Sequence, residues 1–335
     1  MLLSVVEKLC KFNGSDRAGR LIMAKPSIVF IGASSFGLKC LERILERGEC
    51  EVVGVITAPQ KFKISYSKDS VTNYLYADFT EFCETREIPC ITTETGMRDS
   101  CLLGKVESWN PKLFLVVGWY YMLPASWMAL APAYGLHASL LPAYSGGAPL
   151  VWSMINGENE TGITFFKFAD GVDNGDIVAQ KRTRVDYKDT IATLYARVEF
   201  LGMQLIDENL NLLSKGLAQL TAQNELKRTI FPQRSPKDGE IDWEQNSRKI
   251  YDFVRAQTKP YPGAFTRCKT GGIIRVWAVE EILPSVQSRA PGTFYMDDNT
   301  QLFVSCKGGD LRVLDWQLEN TAGEVISKDA RYVVQ

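Results

Sequence analysis

The sequence predicts an α/β fold, a doubly wound and mostly parallel sheet followed by a small C-terminal β-barrel. Three observations carry this. From Ser27 onward, short apolar runs alternate with amphipathic stretches, the pattern of a parallel sheet covered on both faces. A stripe of Ile191, Leu194, Val198, Leu201, Leu205 and Leu212 recurs at helical spacing and stops at Gly216. Past Pro232 and Pro236, brief runs alternate in the manner of antiparallel strands. A chain of 335 residues is long enough for two domains. We expect them at 26–220 and 241–335, joined by a linker over 221–240 of mixed charge.

The elements follow in order. Residues 1–25 are an extension: Leu2, Leu3, Val5 and Val6 are cut short by Glu7 and Lys8, too early for a signal-peptide core. Lys11, Arg17 and Arg20 faintly resemble a transit sequence, but Glu7 and Asp16 oppose it. Met23 stands close before the first strand, so an upstream extension or a misassigned start is the simpler reading. Ser27–Ile31 is that strand, followed by a turn from Gly32 to Gly37 and a helix to about Arg47 with Leu38, Leu41, Ile44 and Leu45 on one face. The turn lacks G-x-G-x-x-G spacing and a following Lys-Ser/Thr, and no acidic residue closes the next strand, Val52–Thr57. It therefore reads as a tight strand-to-helix turn rather than a nucleotide loop. Cys90–Thr92 and Leu113–Val117 are further strands, with a helix at Asp99–Trp109 before the second. Ile177–Thr183 is another, and Asp189 or Thr190 caps the long helix. Gly272–Ile282, Gly292–Tyr295, Gln301–Cys306 and Leu311–Trp316 are the short strands of the barrel.

Composition excludes several classes. A net charge of −1 supplies no global field toward nucleic acid or membrane. Between Asn209 and Arg275, Lys and Arg outnumber Asp and Glu, which fits either a solvated surface or a face toward an acidic partner. No apolar run approaches the roughly 20 residues that span a bilayer. Eight scattered cysteines form no C-x-x-C pair, and there is one histidine. We expect no metal site, free thiols and a cytoplasmic location.

That histidine, His137, lies in the Gly/Pro-rich stretch Tyr134–Pro149, which reads as a turn. A Gly- and Asp-rich stretch, Ala169–Asp176, follows and offers an acidic partner. The segment Trp119, Tyr120, Tyr121, Met122, Leu123 leaves a strand through Gly118 and returns at Pro124. Its rings can wall a flat heterocycle, or can simply fill core. Pro59–Val71 interleaves Lys61, Lys63 and Lys68 with Phe62 and Tyr66. It is either a cationic substrate loop at a strand's carboxyl end or a solvated connection whose rings pack back on the sheet.

His137-x-Ser139-Leu140-Leu141-Pro142, Gly146-Gly-Ala-Pro149, Asn156-Gly-Glu158, Thr161-Gly-Ile-Thr164 and Gly171-Val-Asp173-x-Gly175-Asp176-Ile177 occur in that order. The set resembles the folate-dependent formyltransferases, which carry a histidine before Ser-Leu-Leu-Pro and an aspartate inside Gly-x-Asp-x-Gly-Asp. Arg234–Phe265, with Pro260-Tyr-Pro-Gly263, and Pro291-Gly-Thr293 resemble the C-terminal barrel of methionyl-tRNA formyltransferase, some nucleotide-sugar formyltransferases and the hydrolase module of formyltetrahydrofolate dehydrogenase. The resemblance implies a Rossmann-like catalytic domain, an OB-like barrel and 10-formyltetrahydrofolate as formyl donor. It implies His137 and Asp173 as catalytic residues, with Asp170 and Asp176 as lesser candidates for the carboxylate or as turn formers. Trp119–Leu123, Ser139, Leu140, Leu141, Pro142 and Asp170 would bind the donor. Lys61, Lys63 and Gly135 would meet the acceptor.

The chemistry agrees. Formyl transfer to a primary amine passes through a tetrahedral carbon bearing an oxyanion; the incoming amine loses a proton and the leaving nitrogen gains one. One imidazole can do either job near neutral pH, for about 10²–10⁴-fold. No second histidine activates Ser139 as a nucleophile. One departure stands out: the transferases have asparagine two residues before the histidine, and here that position is Gly135. Loss of one oxyanion donor costs about 3–4 kcal/mol elsewhere. Hydrolysis of the formyl group, or folate binding without catalysis, is therefore kept beside transfer. The expected acceptor is the amino group of Met-tRNA, with a nucleotide-linked amino sugar as the alternative.

Overall fold

The computed structural model describes residues 25–63, 70–268, 271–284, 287–320, 322–327 and 329. The expected extension lies outside them up to residue 24, as do Tyr66 and Lys68.

β1 (Ser27–Ile31), α1 (Ser35–Arg47) and β2 (Glu51–Thr57) open the chain. The Ser34 hydroxyl accepts the Gly37 N–H at 3.1 Å, and Gly48 ends the helix at φ 60°, so both caps are written in the sequence. β3 (Lys61–Phe62) and β4 (Val71–Thr72) form a short antiparallel pair flanking the lysine loop. α2 (Thr80–Glu84), β5 (Cys90–Thr92), α3 (Ser100–Ser108), β6 (Leu113–Val116), α4 (Ala125–Leu130) and β7 (Ala133–His137) follow. Then come β8 (Ser145–Gly146), α5 (Pro149–Ile155), β9 (Glu160–Lys167), β10 (Ile177–Arg184) and α6 (Ile191–Ser214). Thr190, not Asp189, caps α6 in a reciprocal box with Thr193.

The seven-stranded sheet runs β10-β9-β7-β6-β1-β2-β5. β7, β6, β1, β2 and β5 are parallel, while β9 is antiparallel to both β7 and β10. Strand alternation serves two cores. Ile28, Phe30, Leu113 and Leu115 pack with Leu41, Ile44, Leu194 and Val198 of α1 and α6. Val29, Ile31, Phe114 and Val116 pack with Leu102, Val106 and Trp127 of α3 and α4. The chain winds from β1 toward β5, then resumes at β6 on the other side of β1. Ligands of open α/β sheets bind at such a switch point, beyond the carboxyl ends of the strands.

β11 (Ile230–Phe231) and α7 (Ser247–Arg255) lead to β12 (Ala264–Arg267), β13 (Ile273–Glu281), β14 (Phe294–Met296), β15 (Leu302–Cys306), β16 (Gly309–Glu319) and β17 (Val325–Ser327). These strands form an antiparallel sheet ordered β12-β13-β16-β15-β14, with β17 on β16. It surrounds its own core of Ile241, Ile250, Val254, Val276, Val304 and Leu311. Arg255 of α7, buried, bridges Asp252 at 2.7 Å and donates to the carbonyls of Asp186 and Asp189 at 2.8 Å each. The hydroxyls of Tyr195 and Tyr261 meet at 2.8 Å. Both contacts tie the C-terminal sheet to the start of α6. Every described cysteine is a free thiol, and among the described residues no helix is long and apolar enough to cross a membrane.

Two strands of the seven-stranded sheet, β7 and β9, went unread in the sequence. The expected turn around His137 is in fact the end of β7, whose apolar run is cut by Pro132 and Gly135. β9 is buried along almost its whole length, so it shows no alternation, and Gly162 interrupts it.

Candidate active site

The site is assembled where β1, β6 and β7 end. Gly118 leaves β6 at φ 64°, a conformation that favours glycine. The aromatic segment behind it is braced. The Tyr120 hydroxyl donates to Asn73 Oδ1 at 3.0 Å, and buried Asn73 donates to the Ala33 carbonyl at 2.8 Å. Phe62 is buried and its ring lies 5.2 Å from Tyr120 and 5.3 Å from Tyr121. The lysine loop thus packs its ring on the segment, while Lys61 and Lys63 are exposed. Leu123 is buried and Met122 exposed. Trp119 Nε1 and Tyr121 Oη are enclosed and have no hydrogen-bond partner among the described residues. Buried polar groups ordinarily find partners, so these two stand out among the tilted rings of Trp119, Tyr121 and Phe62.

His137, at the end of β7, has a different neighbour on each ring nitrogen. Nε2 lies 2.8 Å from the Tyr144 carbonyl. A carbonyl only accepts, so the tautomer assigned from this partner carries its proton on Nε2. Nδ1 lies 3.5 Å from Asp173 Oδ2, with the two side chains 11% and 20% exposed. That spacing is a charge contact rather than a hydrogen bond. With Nε2 already protonated, a proton on Nδ1 makes the imidazolium, whose charge the carboxylate faces. The same Oδ2 accepts the Gly146 N–H at 2.8 Å. Asp173 itself sits at φ 50°. Asp170 is exposed, and its carbonyl accepts Asn174 Nδ2 at 2.7 Å, closing the turn. Asp176 is likewise exposed.

Ser139 is buried and its hydroxyl donates to the Ala143 carbonyl at 2.7 Å, so it fixes the loop. Thr164 Oγ1 donates to the Ser139 carbonyl at 2.7 Å and accepts the Leu141 N–H at 3.1 Å. Gln180 Nε2 adds bonds to the Leu141 carbonyl and to Thr164, each 2.8 Å. Leu141 is buried, whereas Leu140 and Pro142 are half-buried. Tyr144, whose carbonyl meets His137, is pushed up to about 12 by burial and its bond to Glu158. Its phenol is thus neutral and structural.

Gly135 is buried in the sheet. A Cβ there would lie 2.5 Å from Phe168 Cε2 and 2.7 Å from the Val116 carbonyl oxygen. The space beside it is filled by Phe168, which stacks on Phe166 at 5.0 Å. Phe168, not Gly135, is therefore what presents a side chain on that flank of the site. Among the described residues no group of three or more His, Cys, Asp or Glu could hold a metal ion.

Sequence reading missed Phe168, Tyr144, Gln180, Gln223 and Thr229. The first could have been found by asking what fills the room left by Gly135. The others act through backbone groups or reach the site from the linker, and carry no motif.

Comparison with known proteins bears on the site. Residues 26–210 match the formyl transferase family and residues 234–326 the formyl transferase C-terminal domain. A methionyl-tRNA formyltransferase of Geobacter metallireducens is 32% identical over 300 residues, covering 89% of this chain and 92% of the relative. One of Azobacteroides pseudotrichonymphae is 31% identical over 306 residues, 88% and 92% of the two chains. Among solved structures, the sugar 3N-formyl transferase WlaRD superposes with a TM-score of 0.63 at 16% identity, over 87% of this chain and 97% of that one. A Helicobacter canadensis N-formyltransferase in complex with folinic acid and dTDP-3-aminofucose gives 0.61 at 17%, over 88% and 100%. At such identities the superpositions show the fold.

Proposed function

The chain belongs to the formyl transferase family, and from that premise we propose that it moves a formyl group from 10-formyltetrahydrofolate to the amino group of Met-tRNA. Relatives named for that activity match it across nearly their whole length, which supports this acceptor over a nucleotide-linked amino sugar. The observation that carries the chemistry is His137, held between the Tyr144 carbonyl and the Asp173 carboxylate beside the aromatic segment.

The donor, when bound, supplies the formyl carbon and the nitrogen that leaves. Trp119, Tyr120, Tyr121 and Leu123, with the backbone of Ser139–Pro142, hold it. Asp170, Met122, Lys61 and Lys63 are exposed around this region and meet the outer parts of donor and acceptor. His137 keeps its Nε2 proton on the Tyr144 carbonyl and exchanges the other at Nδ1. It takes a proton from the attacking amine and returns it to the departing nitrogen, and Asp173 stabilises the imidazolium between the two events. The division at 26–220, 221–240 and 241–335 gives this chemistry to the first domain.

Because Phe168 occupies the space at Gly135, no side chain from position 135 holds the formyl oxygen. That observation favours one second reading, hydrolysis of the formyl donor. A panel with radiolabelled formyl donor decides: label should reach Met-tRNA, not dTDP-amino sugars and not water. Release of formate without any amine would establish the hydrolase instead, and retention of the label on the donor under every condition would overturn both.

A further inference from the structure

We propose that the connecting segment 223–231 sets the two ring contacts of His137, with Gln223 and Thr229 as positioning residues for its proton transfer. The inference rests on the reading of His137 as the group that moves the proton.

The contact on each ring nitrogen comes from a residue in the left-handed region. Asp173 (φ 50°) faces Nδ1, and Tyr144 (φ 58°) faces Nε2 through its carbonyl. Left-handed backbone is uncommon for residues other than glycine, and Tyr adopts it less readily than Asp. Contacts from outside each turn support it, and the same short segment supplies both.

On the Asp173 side, Gln223 Nε2 donates at 2.7 Å to the carbonyl of Asp173 and at 2.7 Å to that of Gly175. Its two N–H groups thus bracket the turn from which the carboxylate projects. Gln223 Oε1 has no partner among the described residues, so the amide serves there as a donor. Arg228 adds a guanidinium bond to the Val172 carbonyl, one residue upstream. On the Tyr144 side, Thr229 Oγ1 accepts the Tyr144 N–H at 2.8 Å and the Thr229 carbonyl accepts the Ser145 N–H at 2.9 Å. β11 then runs parallel to β8, and Phe231 stacks on the Tyr144 ring at 4.7 Å and 7°.

A side chain that must keep its ring aligned with a carboxylate depends on such supporting bonds. Without the Gln223 donors, the Asp173 turn is free to relax toward right-handed backbone, carrying the carboxylate away from Nδ1. Without the Thr229 acceptor, the Tyr144 carbonyl loses its anchor opposite Nε2. The segment that leads to the C-terminal sheet is therefore built into the proton-transfer geometry.

The single histidine makes this testable without assignment. Untagged protein labelled with ¹⁵N in the histidine ring reports only His137. In Gln223→Met, which keeps length but donates nothing, the Nδ1 resonance should move. Turnover should fall about 10-fold or more, part of the 10²–10⁴-fold that acid–base transfer contributes, with KM for both substrates within about 2-fold. Thr229→Val, its isostere, should move the Nε2 resonance and stands in should Gln223→Met not fold. Ring resonances superposable on the wild type in a folded variant overturn the proposal, whether or not turnover falls. If the wild-type protein transfers no formyl group to any amine, the functional reading fails, yet the ring spectra still decide the positioning.

Discussion

Replacing Asp173 by Asn tests the proposed chemistry most directly. The amide oxygen can take the place of Oδ2 and still accept the Gly146 N–H at 2.8 Å, so the loop keeps its anchor while the negative charge disappears. At 3.5 Å, a unit charge pair is worth about 1 kcal/mol in water and about 5 kcal/mol at an effective dielectric near 20. His137 and Asp173 are 11% and 20% exposed, which places the pair between these limits. At about 1.4 kcal/mol per factor of ten, kcat should fall roughly 10- to 10³-fold. The loss should sit in kcat rather than KM, because the imidazolium forms only during turnover. Initial rates of label transfer at saturating donor and acceptor measure it, with thermal melting to confirm that the fold is intact. A variant within about 3-fold of wild type in kcat, or one whose loss lies wholly in KM, would refute the pairing of His137 with Asp173.

The Gly135–Phe168 contact predicts a coupled response. Gly135→Asn should destabilise by about 1–3 kcal/mol through overpacking, and adding Phe168→Ala should recover part of that, with a coupling of about 0.5–3 kcal/mol; additive melting data would show that Phe168 is not what fills the space. Acid should weaken the C-terminal sheet through Glu319. Burial raises its carboxyl, but the two 2.6 Å bonds from Arg275 and that from Gln317 outweigh it and hold it below the usual range. A depressed carboxyl stabilises fully above the unfolded value, about 4.3, and its contribution is lost as pH falls through the lower folded value. Melting followed below about pH 4.3 should therefore show a shallower acid decline in Glu319→Gln than in wild type, and an identical slope would exclude this pair as a source.

The fold was legible where periodicity and punctuation agree. Ser34 and Gly48 bracket α1, Thr190 opens α6, and the apolar runs of β1 and β6 stand clear of their flanking helices. It was illegible where burial on both faces erases alternation, as in β9, or where a functional strand end carries Gly and a polar residue, as β7 does in Gly135 and His137. The short β3–β4 and β8–β11 pairs have no signature of their own. Each is two residues long and is created by the contact rather than by propensity.

The site divides along the same line. His137 and Asp173 could be named from sequence because their side chains do the chemistry, and the structure brings those side chains within 3.5 Å. What aligns them is mostly backbone: the Tyr144 carbonyl, the Gly146 N–H, and the Asp173 and Gly175 carbonyls gripped by Gln223. Any residue supplies a carbonyl, so composition is silent about which one. Gly135 shows the reverse error. As a letter it reads as a missing donor, an absence; in three dimensions the volume is occupied, by a ring that arrives from the end of β9. A glycine's meaning at such a position lies in its neighbour. The change that could restore a donor here must therefore alter Phe168 together with Gly135.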